Sequence, residues 1–196
     1  MRIVVVNHVS LDGVMQGPGR PDEDTRGGFR HGGWAQNDND LALGAAMGER
    51  LGQDFSWLFG HRTYDGLLGY WNEVGGPFKD PLNQIPKYVA SADPEAALPW
   101  PNSTLISGDV PAGVAALRQQ PGGNLVIMGS GALIRSLLPH GLIDEIFLMI
   151  HPVVLGSGQQ LFGRENAAHQ MRLVSSSQTA AGVILATYQP FQASGA

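Results

Sequence analysis

The chain has 196 residues, 43% of them hydrophobic, with a net charge of −5, a pI near 5.6 and no cysteine. That length buries the core of one domain and leaves little for two. The acidic balance and the lack of any basic run argue against a nucleic-acid or anionic-membrane partner, while the missing thiols exclude disulfides, thiolate zinc sites, iron–sulfur clusters and a cysteine nucleophile.

Met1-Arg2 leads straight into Ile3-Val4-Val5-Val6, only a few apolar residues before Asn7-His8, so neither a signal-peptide h-region nor a membrane span is expected and the chain reads as cytoplasmic. Residues 2–9 are apolar at nearly every position, which predicts a central strand covered on both faces. Ser10-Leu11-Asp12-Gly13-Val14 breaks it. From Gly17 to Asn39 the chain is rich in Gly, Pro, Asp and Arg, with Phe29 and Trp34 among them, and a loop of that length reads as an active-site lid or a disordered segment rather than a simple connector.

Asp38 or Asn39 is placed to cap a helix through about Gln53, with Leu41, Ala45, Gly48 and Leu51 as its apolar stripe. Phe55 to Phe59 predicts a strand, and Thr63 or a neighbour opens a helix to about Trp71. Gly75 to Pro86 reads as irregular. Strands follow at Lys87–Ser91 and Ser103–Ile106, then a helix from Val110 to Gln119. Leu125–Met128 is a buried strand that passes through Gly129-Ser130-Gly131 into the helical spacing of Leu133, Ile134, Leu137 and Leu138. A long strand is expected from Ile143 to Leu155, with Pro152 at a bulge or an edge. Leu173–Ser177 and Val183–Tyr188 close the chain as an antiparallel pair. Strand and helix alternate in the first two thirds and strands alone fill the last, which predicts an α/β domain: a mostly parallel sheet, flanked by helices and finished by antiparallel strands.

Two turns carry the chemistry. Gly129-Ser130-Gly131 leaves bare backbone N–H groups at a helix N-terminus, where donors and the positive dipole end favour an anion such as a nucleotide phosphate. Gly60-His61-Arg62-Thr63 repeats that arrangement, with a guanidinium fork and a hydroxyl added. Both lie at carboxyl ends of predicted parallel strands, where open α/β sheets bind ligands, and a dinucleotide has phosphates enough for both. The bland reading of each turn is a short connecting loop.

On Ser10-Leu11-Asp12-Gly13, Gly60-His61-Arg62-Thr63-Tyr64, Met128-Gly129-Ser130-Gly131 and His151-Pro152-Val153-Val154-Leu155-Gly156-Ser157-Gly158-Gln159-Gln160-Leu161-Phe162, the chain resembles the reductase domain of bifunctional riboflavin-biosynthesis proteins, which shares the dihydrofolate reductase fold. The resemblance runs from residue 2 to about 190. It implies a free-standing NADPH-dependent reductase, commonly a homodimer, acting on a small heterocyclic (pterin- or pyrimidine-like) or carbonyl substrate. Carried over by motif, Gly60, His61, Arg62 and Thr63 face the adenosine-side phosphates, and Ser91 lies near the adenosine ribose phosphate. Gly129, Ser130, Gly131, Ala132 and Leu133 hold the pyrophosphate, and Asp12 and Gly13 lie where nicotinamide meets substrate.

The chain departs from the pattern in three places. The residue after the first glycine of the strand-helix turn is usually arginine and here is His61, which as a neutral imidazole grips a 2′-phosphate less firmly and so weakens the preference for NADP over NAD. The deaminase half of the bifunctional enzymes is missing. Dihydrofolate reductases proper keep a carboxylate on the helix after the first loop, where Glu49 is the one candidate inside the predicted helix.

Asp12 is the candidate to orient substrate or relay a proton; otherwise it is the Asx residue of an Asp-Gly bend. Met15 and Trp34 are candidate substrate contacts, with Trp34 and Phe29 alternatively anchoring the lid to the core. Trp57 reads as core. His151 is either a proton donor or a strand histidine bonded to a carbonyl, and the six histidines lack close paired spacing, so no metal is expected. A hydrolase built on Ser130 as an elbow nucleophile is disfavoured by Met128, which stands where that turn wants a small residue. The alternative to the reductase is a domain of the same fold that binds a nucleotide or small ligand without turnover.

Overall fold

The computed structural model describes residues 1–36, 41–163 and 168–191. Its elements run β1 (Arg2–Ser10), α1 (Leu41–Leu51), β2 (Phe55–Gly60), α2 (His61–Val74), α3 (Lys79–Gln84), β3 (Lys87–Ala90), β4 (Ser103–Ile106), α4 (Val110–Arg118), β5 (Asn124–Met128), α5 (Gly131–Leu137), β6 (Glu145–His151), β7 (Met171–Gln178) and β8 (Ile184–Pro190). The strands form one sheet in the order β4-β3-β2-β5-β1-β6-β8-β7, parallel from β4 to β6 and antiparallel where β8 meets β6 and β7.

Alternation along β1 splits the core into two layers. Ile3, Val5 and Val9 point towards α4 and α5, joining Leu125, Ile127, Leu133, Ile134 and Leu137. Val4 and Val6 point to the other side, with Trp57, Phe59, Tyr64, Leu68 and Phe147 under α1 and α2. A strand covered on both faces needs apolar residues at successive positions, which is why β1 reads as an unbroken run. Asp109 caps α4, its carboxylate accepting from Ala112 N at 3.0 Å, with proline in the first turn.

Three expectations change. The stripe that packs from α1 is Leu43, Ala46, Met47 and Leu51, while Ala45 and Gly48 are exposed; in a glycine-rich helix the larger side chains decide the buried face. The proposed caps Asp38 and Asn39 lie outside the described residues. Between Gly75 and Pro86 the chain forms α3, whose Leu82 is 5% exposed against the core. β6 ends at His151 rather than Leu155, because Pro152 has no N–H for a ladder and the chain beyond it turns to pair with the first loop, Leu11 N donating to Val153 O at 2.8 Å.

Candidate active site

β1 is the switch point of the sheet. The chain leaves it to build β2, β3 and β4 on one side and returns through β5 and α5 to place β6 on the other, so the carboxyl ends of β2, β5, β1 and β6 share one margin. Both glycine turns stand there and touch each other. Gly60 N donates to Ser130 Oγ at 2.8 Å, and Ser130 Oγ donates to Thr63 Oγ1 at 2.7 Å. Asn7 Oδ1 on β1 accepts from Gly129 N at 3.0 Å. Neither helix start carries a side-chain cap, since the residues at those positions, Gly60 and Ser130, make no capping bond to their own helices.

This junction requires its glycines. A Cβ on Gly60 would lie 3.1 Å from Ser130 Oγ, and one on Gly131 would lie 2.7 Å from Met15 Sδ and 2.9 Å from Arg135 Nη1. Gly129 and Ser130 both have left-handed φ, 65° and 63°. For a serine that conformation costs about 1–2 kcal/mol, which the two bonds of its hydroxyl, each about 1 kcal/mol, offset. Ser130 therefore joins the two turns, with its hydroxyl committed to Gly60 and Thr63.

The other candidates fall around the same margin. Arg62 and Ala132 are exposed, His61, Thr63 and Gly129 partly so, and Gly131 and Leu133 are buried. His61 Nε2 lies 3.2 Å from Ala97 O and its Nδ1 3.5 Å from Asp65. That contact draws the loop after β3 to the start of α2. In this loop Ser91, 9% exposed, accepts from Asp93 N at 3.1 Å.

The first loop is stapled to the loop after β6. Asp12 Oδ1 accepts from Ser10 Oγ at 2.7 Å and Leu155 N at 3.1 Å, and Oδ2 accepts from Gly156 N at 2.8 Å. The Ser10 hydroxyl, helped by the Gly156 and Leu155 amides, holds the carboxyl down at about 2. As a bound carboxylate it has no proton to give at neutral pH. Gly13, at φ 79°, closes the bend, its N–H donating to Ser10 O and its O accepting from Leu161 N. A cavity of about 430 Å³ opens beside this junction, lined by Asp12, Val14, Arg135, Gly158 and Gln160 among others. Glu49, the carboxylate considered on α1, is exposed beside Arg50 and points away from the sheet.

Buried Gln16 organises the lid. Its amide N–H groups donate to Asp24 and to Arg26 O, and its Oε1 accepts from Gln159 N at 2.9 Å. Trp34 Nε1 donates to Gln16 O at 2.7 Å while its ring stands edge-on to His151, centroids 5.4 Å apart. Trp34 thus anchors the lid and walls the margin at once, and Phe29, 5% exposed, belongs to the lid's own core. His151 meets an imidazole, His8 Nδ1 lying 2.9 Å from His151 Nε2. His8, Asn7 and Gln16 carry no motif; the available signal was a polar pair, Asn7-His8, inside an apolar strand just before a loop.

Residues 2–185 match the family model described as RibD C-terminal domain. The chain is 26% identical over 197 residues to protein YyaP of Bacillus subtilis (strain 168), covering 95% of this chain and 94% of that one. A segment of 75 residues is 35% identical to protein YwjB of the same organism, 38% of this chain and 43% of that one. Among solved structures, a putative riboflavin biosynthesis protein from Shewanella sp. PV-4 superposes with a TM-score of 0.72 at 22% identity, covering 98% of this chain and all (100%) of that one. Dihydrofolate reductase from Enterococcus faecalis, complexed with NADP(H) and RAB-propyl, gives 0.62 at 14% identity over 97% of each chain. A pyrimidine reductase-like protein from Corynebacterium diphtheriae gives 0.59 at 13% identity over 98% and 92%. The fold is that of dihydrofolate reductase: a mixed, mostly parallel sheet with antiparallel C-terminal strands.

Proposed function

The chain belongs to the RibD C-terminal domain family, and from that premise we propose that it is an NADPH-dependent reductase of a small heterocyclic or carbonyl substrate, working as a cytoplasmic homodimer. The observation that carries the reading is the contact between the two uncapped helix starts through Ser130, which gives one nucleotide two adjoining donor sites. Glycine at 60 and 131 supports the reading by letting the two turns close on each other, since Cβ atoms there would crowd Ser130, Met15 and Arg135.

In this reading Arg62, His61, Thr63 and Ser91 hold the adenosine side, and the turn at Gly129, whose own amide is taken by Asn7, presents the amides of residues 130–133 to the pyrophosphate. Gly13 and Asp12 shape the nicotinamide end, with Met15 and Trp34 walling the substrate. When bound, NADPH supplies a hydride for a C=N or C=O bond. The chain supplies position and dryness: Gln16 and Trp34 pin the lid over the margin, and Asp12 locks the first loop against residues 155–156.

The second reading, a nucleotide-binding domain without turnover, is favoured by the acids: Glu49 faces outward and Asp12 is already ionised. Titration of the purified protein with NADPH, followed by nicotinamide fluorescence, and then NADPH oxidation across pterins, pyrimidines and carbonyl compounds separate the two. Saturable binding with oxidation supports the reductase, binding alone supports the second reading, and no binding removes both.

A further inference from the structure

The roles assigned above leave out His8. It comes from β1 and His151 from the adjacent parallel strand β6, with His8 opposite Met149 and His151 opposite Ser10, so the two rings lie diagonally on one face of the sheet. At 2.9 Å between His8 Nδ1 and His151 Nε2, one ring donates and the other accepts. Burial first, and His151 second, push His8 down to about 4, so the His8 ring is uncharged at neutral pH. His151 is 1% exposed, whereas His8 is only partly covered. With Nδ1 committed, Nε2 is the ring nitrogen that His8 has left for a ligand.

The surroundings place the residue in the fold. Asn7, next in the chain, accepts from the amide of Gly129, at the second glycine turn. Ser10, two residues on, holds Asp12, and Trp34 of the lid stands edge-on to His151. His8 thus sits at the carboxyl end of the central strand between the glycine turn, the first loop and the lid.

Resting on the reductase reading, we propose that His8 is a substrate-contacting residue, its Nε2 hydrogen-bonding the polar edge of a flat, uncharged heterocycle of pterin or pyrimidine type while His151 fixes the tautomer that presents it. A neutral imidazole meets the donors and acceptors of such a ring, and a carboxylate or phosphate placed there would find no countercharge on His8. Trp34 adds an aromatic wall beside His151.

The test uses protein carrying nitrogen-15 histidine, saturated with NADP⁺ and titrated with 6-methylpterin and with 5-aminouracil. The expected result is that the His8 Nε2 resonance moves with at least one heterocycle and not with NADP⁺ alone. In parallel, His8→Phe weakens that heterocycle by about tenfold or more and leaves NADP⁺ affinity within about twofold, and His8→Gln recovers part of the loss. Heterocycle binding with an unmoved His8 resonance, or with equal affinity in His8→Phe, overturns the proposal. So does failure of the NADP⁺-saturated wild type to bind either heterocycle, which leaves the cofactor reading standing. Failure to bind NADP⁺ at all removes the reductase reading and this proposal together. The resonance of the wild-type protein decides the matter even where a variant fails to fold.

Discussion

Ser130 shows how a single side chain can hold a strained backbone and a functional junction together. Replacing it by alanine keeps the left-handed cost and loses both hydroxyl bonds, so Ser130→Ala is expected to lower stability by about 1–2 kcal/mol in urea unfolding. Ser130→Gly loses the same bonds but not the steric cost, and so should be the milder of the two. Both should weaken NADPH binding, because Gly60 N and Thr63 Oγ1 lose the group that registers the two helix starts. Asp12 gives a pH signature. Its folded-state value, about 2, lies below the ordinary 3.8, so the staple's contribution is complete above that ordinary value and is lost as pH falls towards 2. The stability difference between wild type and Asp12→Ala should therefore shrink across that acid window; a difference that stays constant there would remove the staple from the account.

At the scale of elements, the turn between α3 and β3 depends on one buried ammonium. Lys87 Nζ donates to Leu82 O, Ile85 O and Asn83 O at 2.6, 2.8 and 3.3 Å, closing the carbonyl end of α3 in place of solvent. Lys87→Met leaves buried carbonyls without a donor and is expected to cost about 1–3 kcal/mol in thermal or urea unfolding. Burial also pushes Lys87 down to about 8 from 10.5, so the unfolded chain binds its proton more tightly than the folded one. Wild-type stability should gain from this group as pH rises between those values, a slope missing in Lys87→Met. The lid has a comparable single support. Gln16→Leu removes the bonds to Asp24, Arg26 and Gln159, and residues 17–36 should become the first segment cut in limited proteolysis.

For the molecule as a whole, the sheet closes on one side with an edge strand that no other described strand pairs on its outer side. β7 is exposed at nearly every position, with Leu173 and Val174 50% and 44% exposed on it. An exposed edge strand with apolar side chains suits a second copy of the chain, and the homodimer is proposed to form there. Leu173→Lys should shift the protein from dimer to monomer in light scattering while NADPH binding persists. A wild-type protein that is monomeric across the concentration range would end that proposal.

How much could be read from the amino acids alone divides along the same scales. Runs such as Ile3–Val6 and Leu125–Met128 announce buried strands because a strand covered on both faces admits only apolar residues, and glycine at a strand end before a helical spacing announces an open turn, required at Gly129 by its left-handed φ and at Gly60 by the close approach of Ser130. The sheet class and the two turns follow from such local rules, and the family from the resemblance that the motifs carry. The burial face of α1 and the pairing of the chain beyond β6 with the first loop do not, because each is settled by partners distant in sequence, whereas the α3 turn is closed by a buried ammonium, Lys87, that bonds carbonyls only two to five residues away. The pairing of His8 with His151, 143 residues apart, and the bridging of Gly60 to Thr63 through Ser130 belong to that second kind. A strand's composition says that it will be buried, but its neighbours in the sheet exist only once the chain has crossed over, and it is those neighbours that decide which polar groups meet.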